Sequence, residues 1–149
     1  MSKKSGPIAA LIADLAPAHS KEGIRRFDPH YLGYFECFNR QKFYEAHDVL
    51  EELWLETKGP LHLFYKGLIQ ATGAFVHLQK SKLNPAARLF RLALKNLDPY
   101  APLAEGLDVA DFTGRIREWL SELERSDYTA NPYDPNRPPQ VRLICENLC

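Results

Sequence analysis

Two helical segments separated by a short break place the strongest constraint on how this chain folds. Across residues 43–78, apolar side chains recur at the three- and four-residue spacing of amphipathic helices, and the pattern is interrupted only at residues 57–60, Thr-Lys-Gly-Pro. A connection this short joins helices that run antiparallel to each other. The sequence therefore predicts a helical hairpin, around which the rest of the chain packs.

The first helix of this hairpin has a polar and an apolar side when its residues are placed at intervals of about 100°. His47 and Glu51 lie one turn apart on the flank of the apolar side, next to Trp54. Half-buried polar groups need hydrogen-bond partners, so these three residues are the leading site candidates. Carboxylates on the opposite side predict a solvent-exposed acidic stripe, which consists of Glu45, Asp48, Glu52 and Glu56.

The second helix is apolar around most of its circumference, as expected for a helix that neighbours bury on several sides. Gly67, Ala71 and Ala74 form a seam of small residues. Gly67 and Gly73 each cost the helix about 1 kcal/mol relative to alanine. We expect these glycines to permit close packing of another helix.

Polar residues of the second helix lie at the margin of that seam, where Gln70 and His77 are seven residues apart. In an antiparallel hairpin, His47 lies level with Gln70, and Glu51 lies level with Lys66. The sequence therefore predicts that polar residues from both helices meet at one level of the bundle.

Length and charge narrow the class of protein. The 149 residues suffice for one domain with a substantial core. Nineteen basic and nineteen acidic residues cancel, which argues against nucleic acid or an anionic membrane as a partner. The three cysteines are an odd number without metal-type spacing and favour a reducing compartment. No signal peptide or membrane span is predicted, so we expect a soluble cytoplasmic protein.

We predict an all-α antiparallel bundle of about five main helices over residues 28–126, without strands. An N-terminal arm at residues 1–27 and a proline-rich C-terminal arm at residues 127–149 flank it. Asp28-Pro29 and Asn84-Pro85 each resemble a helix start, in which an N-cap residue precedes a proline.

Two short apolar segments in the arms, residues 8–15 and 141–148, have helical spacing but are too short to be stable alone. Each is expected to dock on the bundle or on a partner. A basic stripe on a later helix also complements the acidic stripe, within the bundle or across a dimer; it consists of Arg88, Arg91 and Lys95. These features favour a homodimer or a complex with a protein partner. The alternative is that both arms fold back and close the ends of their own bundle.

Three hypotheses account for the pairing of His47 with Glu51. In the first hypothesis, His47 and Glu51 are two metal ligands on adjacent turns, although His77, the one obvious further ligand, is not level with them. In the second hypothesis, the two residues form a catalytic dyad in which the carboxylate orients the imidazole, although no nucleophile motif is near. In the third hypothesis, which we favour, His47 and Glu51 belong to a buried hydrogen-bond network with Trp54 or Gln70 that locks the hairpin in register.

These segments also resemble a known family. The stretch FNRQKFYEAHDVLEELWLETKGP, followed by FYKGLIQATGAFVHLQKSKLNPAARLFRLALKNLDPY, is similar to the family called domain of unknown function 309, over residues 38–100. Its motifs are EAH-x-x-x-E-x-x-W and GLIQ-x-x-x-A-x-x-H, and Asn84-Pro85 departs from its usual glycine near the next helix start. The resemblance implies a helical bundle and no particular reaction. It marks as site positions Glu45, His47, Glu51, Trp54, Gly67, Gln70 and His77.

The functional expectation is a non-catalytic or small-ligand-binding protein whose polar centre is His47, Glu51 and Gln70, with His77 as a further candidate member. A metal-dependent or hydrolase-like enzyme that uses His47 and Glu51 is one alternative. A scaffold that docks through its arms is another. We expect no cofactor and no stoichiometric metal, because the additional ligands that a metal site requires are missing.

Overall fold

The computed structural model describes residues 27–144, and most of this part of the chain is α-helical. Its five helices are α1 (Pro29–Asn39), α2 (Phe43–Glu56), α3 (His62–Gln79), α4 (Leu83–Leu97) and α5 (Val109–Arg125). A 3₁₀ turn at Asp98–Tyr100 follows α4. The predicted all-α class is confirmed, and α2 and α3 are the predicted hairpin.

Three of these helices, α2, α3 and α4, lie side by side as one layer, because α3 packs against both of the others. Helices α1 and α5 cover one side of that layer. On this side the Tyr34 hydroxyl of α1 donates a hydrogen bond to the Leu68 carbonyl oxygen at 2.8 Å. Trp119 of α5 meets Phe75 edge to face, with ring centroids 5.2 Å apart. The bundle therefore has two layers, with its core between them.

Aromatic rings fill the space between the layers. Phe75 stacks on Phe43 at 5.0 Å and meets Phe38 edge to face at 5.5 Å. Phe38 also contacts Phe112 of α5, at 6.1 Å between ring centroids. All four side chains are buried, and aromatic pairs contribute about 0.5–1.5 kcal/mol each beyond their buried area. This cluster aligns α1, α2, α3 and α5.

One of the two predicted helix starts is confirmed. The Asp28 carboxylate accepts a hydrogen bond from the His30 amide at 2.7 Å, and Pro29 is the first residue of α1. The predicted start at Asn84 is wrong, because α4 begins at Leu83 without a side-chain cap. Pro85 is nevertheless tolerated there, since amides in the first turn of a helix have no acceptor within the helix.

Both glycines of α3 lie where α4 comes close. A Cβ atom on Gly67 would lie 2.6 Å from Cγ of Leu97, and one on Gly73 would lie 3.0 Å from Cδ1 of Leu89. These distances confirm the predicted packing role, because a side chain at Gly67 fits only if the Leu97 side chain or α4 shifts.

The expectation of no strands is wrong. Two short antiparallel strands, β1 (Leu103–Ala104) and β2 (Leu107–Asp108), form a hairpin between α4 and α5. Its turn residues Glu105 and Gly106 both have positive φ, 48° and 72°, which is typical of a type I′ turn. A Cβ on Gly106 would also lie 2.7 Å from the Phe27 ring. Strands of two residues are too short to produce an alternating pattern in the sequence.

The described part of the C-terminal arm lies on its own bundle. Beyond α5 the chain is non-helical as far as residue 144, as predicted. The Asn39 side chain donates to the Val141 carbonyl oxygen and accepts from the Val141 amide, both at 2.7 Å. Asn131 donates to the Leu78 carbonyl oxygen at 2.7 Å. The proposed helix at residues 141–148 is absent over 141–144; its remainder and the segment at residues 8–15 lie outside the described residues.

Within residues 27–144, no helix is both long enough and apolar enough to span a bilayer.

We predict that Gly67→Ala destabilises the protein by about 1–3 kcal/mol, because the added methyl group overpacks the contact with Leu97. Chemical denaturation monitored by circular dichroism measures this difference. The matched control is Gly114→Ala in α5, where a Cβ meets nothing within 4 Å. That variant should gain up to about 1 kcal/mol from helix propensity. Equal effects of the two substitutions would contradict the packing role of Gly67.

Candidate functional site

The side of the α2–α3–α4 layer opposite α1 and α5 carries three of the seven predicted site residues, His47, Glu51 and Gln70. On α3, residues a quarter to half a turn away from the core residues Leu68 and Phe75 include several that are exposed or half-buried. No described helix covers this side, and we call it the open face. Its members on α3 are Lys66, Ile69, Gln70, Gly73 and Val76.

Two contacts fix the relative heights of α2 and α3. Phe43 stacks on Phe75, and Trp54 stacks on His62 with ring centroids 5.2 Å apart and planes 29° apart. Interpolation between these contacts places His47 level with Gln70, as the hairpin register predicts.

A cluster of three side chains occupies the α2 part of the open face. His47, Asp48 and Glu51 each offer one ligand atom, and these atoms all lie within 4.8 Å of one another. All three side chains are half-buried. Asp48 was predicted to belong to a solvated stripe, but its place one residue after His47 and three before Glu51 brings it to this cluster.

Within the described residues, neither His47 nor Glu51 makes a hydrogen bond or an ion pair. Trp54 lies one turn beyond Glu51, and its indole N–H is buried without a hydrogen-bond partner in this part of the chain. The predicted network that locks the hairpin is therefore not formed by contacts among these residues.

Gln70 has a different partner from the one expected. Its side-chain oxygen accepts a hydrogen bond from the Asn96 amide group of α4 at 2.7 Å. Gln70 is therefore level with His47 but is turned towards α4. Asn96 was not predicted as a site residue, because no local pattern links positions that are 26 residues apart.

The other predicted site positions are distributed over the bundle. Gly67 packs against Leu97 and lines no open surface. Glu45 lies towards α1, where burial and then the Glu45 charge raise the pKa of the Cys37 thiol. Of the predicted acidic stripe, Glu45 and Glu52 are half-buried, and Glu56 is exposed.

His77 lies near the end of α3 among basic residues. Its Nδ1 atom is buried without a hydrogen-bond partner in the described part of the protein. Burial lowers the pKa of the imidazole, and the positive charges of Lys82, Lys80 and Arg88 lower it further. Protonation of His77 therefore opposes folding.

The three residues of the basic stripe of α4 differ in their contacts. Arg91 pairs with Glu124 of α5 at 3.2 Å and donates to the Tyr128 hydroxyl oxygen at 2.7 Å. Arg88 and Lys95 are exposed and make no ion pair within the described residues. The predicted pairing of this stripe with the acidic residues of α2 therefore does not occur among residues 27–144.

A groove away from the open face was not predicted from the sequence. It has a volume of about 430 Å³ and lies between α5 and the C-terminal arm, where Trp119, Pro132 and Arg137 contribute to its lining. It exists because the arm folds back onto the bundle, which no local pattern of residues predicts.

This fold and surface define an all-α bundle with a polar cluster on an outward-facing helix layer. Residues 31–89 match the model of the family described as domain of unknown function (DUF309). This match supports the resemblance to that family over residues 31–89, a segment that contains every predicted site position. No curated protein and no solved structure matches the chain.

We predict that the stability of the protein decreases as the pH falls below about 6.5, the usual pKa of histidine. Because the folded-state pKa of His77 is lowered, the unfolded chain binds more protons there, and acidification favours unfolding. The stabilisation is complete above the unfolded-state pKa and is lost as the pH falls through the lower, folded-state pKa. The melting temperature should differ less between pH 7.5 and pH 5.5 for His77→Gln than for the wild type. Identical pH dependence in both proteins would rule out this role.

Proposed function

We propose that this protein is a non-catalytic binding module whose cluster of His47, Asp48 and Glu51 receives a cationic group of a protein partner. One observation carries the proposal: three side chains able to bind a cation lie together on an outward face. His47 and Glu51 also have no ion pair or hydrogen bond within the described chain.

The sign of charge on α2 supports a cationic ligand. The helix carries five carboxylates and neither lysine nor arginine. The stacked Trp54 indole lies one turn from Glu51, and an ammonium or guanidinium group gains about 0.5–2 kcal/mol over such a ring.

Binding is favoured over catalysis by the contacts of His47. A dyad needs the carboxylate to orient the imidazole through a hydrogen bond. Within residues 27–144, no such bond joins Glu51 to His47. The same side chains serve a cationic ligand without a fixed tautomer of the imidazole.

The test is a fluorescence titration of Trp54 with Nα-acetyl-lysine amide, in a Trp119→Phe background so that one tryptophan reports. We expect a saturable change with this ligand and none with its Nε-acetylated, neutral analogue. Asp48→Asn with Glu51→Gln should abolish the change while altering stability by no more than about 0.5 kcal/mol, because neither group has a described partner to lose.

The matched control removes two carboxylates from α5, Glu118→Gln with Glu122→Gln, both of which are exposed. It should leave the titration unchanged. Equal responses to the charged and neutral ligands would refute the proposal, as would loss of the response in the α5 control.

We also predict that the purified protein carries no stoichiometric transition metal. The three ligand atoms of the cluster come from one helix, and most protein metal sites add ligands from a second element. Elemental analysis of protein prepared without chelators checks this. About one equivalent of zinc, iron or manganese that is lost in His47→Ala would overturn the prediction.

A further inference from the structure

The open face has opposite charge on its two edges. Asp48 and Glu51 line the α2 edge. On the other edge, α4 contains Arg88, Arg91 and Lys95 and no acidic residue. Arg91 is paired within the bundle with Glu124, whereas Arg88 and Lys95 point away from the core.

Apolar side chains are exposed on both edges as well. Tyr44 of α2 is 64% exposed and Leu92 of α4 is 44% exposed. Half-buried Ile69, Val76 and Leu89 lie between them, next to the unsubstituted Cα of Gly73. The face therefore has an apolar centre between an acidic and a basic edge.

Contacts along the layer give the heights of these residues. Gly67 meets Leu97, and Gln70 bonds Asn96, which fixes the register of α3 against α4. Combined with the α2–α3 register, these contacts place Asp48 and Lys95 at about the same height on opposite edges. By the same interpolation, Tyr44 lies close to the height of Leu92.

A two-fold axis parallel to α3 exchanges the two edges and keeps the height of each residue. We propose that a second copy of the chain covers the open face about such an axis. Lys95 of each copy then contacts the cluster of His47, Asp48 and Glu51 in the other. This inference rests on the proposed function, because the second copy supplies the cation that the cluster receives.

This arrangement is isologous, so each favourable contact occurs twice in the dimer. Tyr44 of one copy packs near Leu92 of the other, and the apolar centres of the two copies are buried against each other. The site is incomplete in one copy, because Lys95 lies across the width of the layer from its own Asp48.

The test is a charge exchange followed by light scattering across a concentration series of the full chain. Asp48→Lys or Lys95→Glu alone places like charges together at two sites, and should raise the dimer dissociation constant about tenfold or more. The combined variant restores opposite charges with their positions exchanged, and should return to within a few-fold of the wild type. Arg125→Glu, an exposed residue of α5 without a described ion pair, is the control and should behave as the wild type.

A monomer at every concentration overturns the proposal, whether the face is then covered by the chain's own N-terminal segment or by another protein. A dimer that ignores both single reversals also overturns it, because the contact then lies elsewhere. In either case a lysine amide that still binds at Trp54 leaves the proposed function standing. If the lysine amide produces no saturable change of Trp54 fluorescence in the monomeric Lys95→Glu variant, the proposed function is refuted separately.

Discussion

The close approach of α3 and α4 at Gly67 is the contact on which the rest of the structure depends. Because Gly67 has no side chain, Leu97 of α4 occupies the space that one would need, and α4 lies close against α3 at this point. Asn96 then comes within hydrogen-bond distance of Gln70. The aromatic stack of Phe43 on Phe75 holds α2 on the other side of α3. A three-helix layer results, and within residues 27–144 the helices α1 and α5 cover one side of it.

This layer explains why the polar cluster faces outwards. The buried side of α2 is taken by Ala46, Val49 and Leu50, which are fully buried. His47 and Glu51 lie beside these residues and are only half-buried, so their polar side chains keep contact with solvent. A half-solvated cluster avoids the desolvation cost of a buried ion pair and remains available to another molecule.

Features that depend on local spacing were predicted correctly from the sequence. The hairpin, the packing role of Gly67 and Gly73, and the Asp28 cap each follow from residues that are close in the chain. The level of His47 with Gln70 followed from the length of the connection alone. The direction of the Gln70 side chain did not, because Asn96 lies on another helix. The docking of Val141 on Asn39 was likewise not predictable, since it joins residues 102 positions apart.

The pairing of the charged stripes also depends on contacts between residues that are distant in the chain. A helical wheel identifies Arg91 and Lys95 as neighbours, but only the position of α5 decides that Arg91 pairs with Glu124 while Lys95 does not. The wheel also assigns Asp48 to the solvent-exposed stripe, but its spacing from His47 and Glu51 on the same helix brings their ligand atoms within 4.8 Å of one another. The sequence identified His47 and Glu51 as neighbours on one helix, and their role in a binding site stays a prediction.

The central claim is that the open face is a binding surface, and hydroxyl-radical footprinting of the full chain at increasing protein concentration tests it most directly. The account predicts that oxidation of Tyr44 and Leu92 falls as the concentration rises. Oxidation of Leu103, which is 48% exposed on the β-hairpin, should not change. Unchanged oxidation of Tyr44 and Leu92 at all concentrations, or protection of Leu103 instead, would contradict the account.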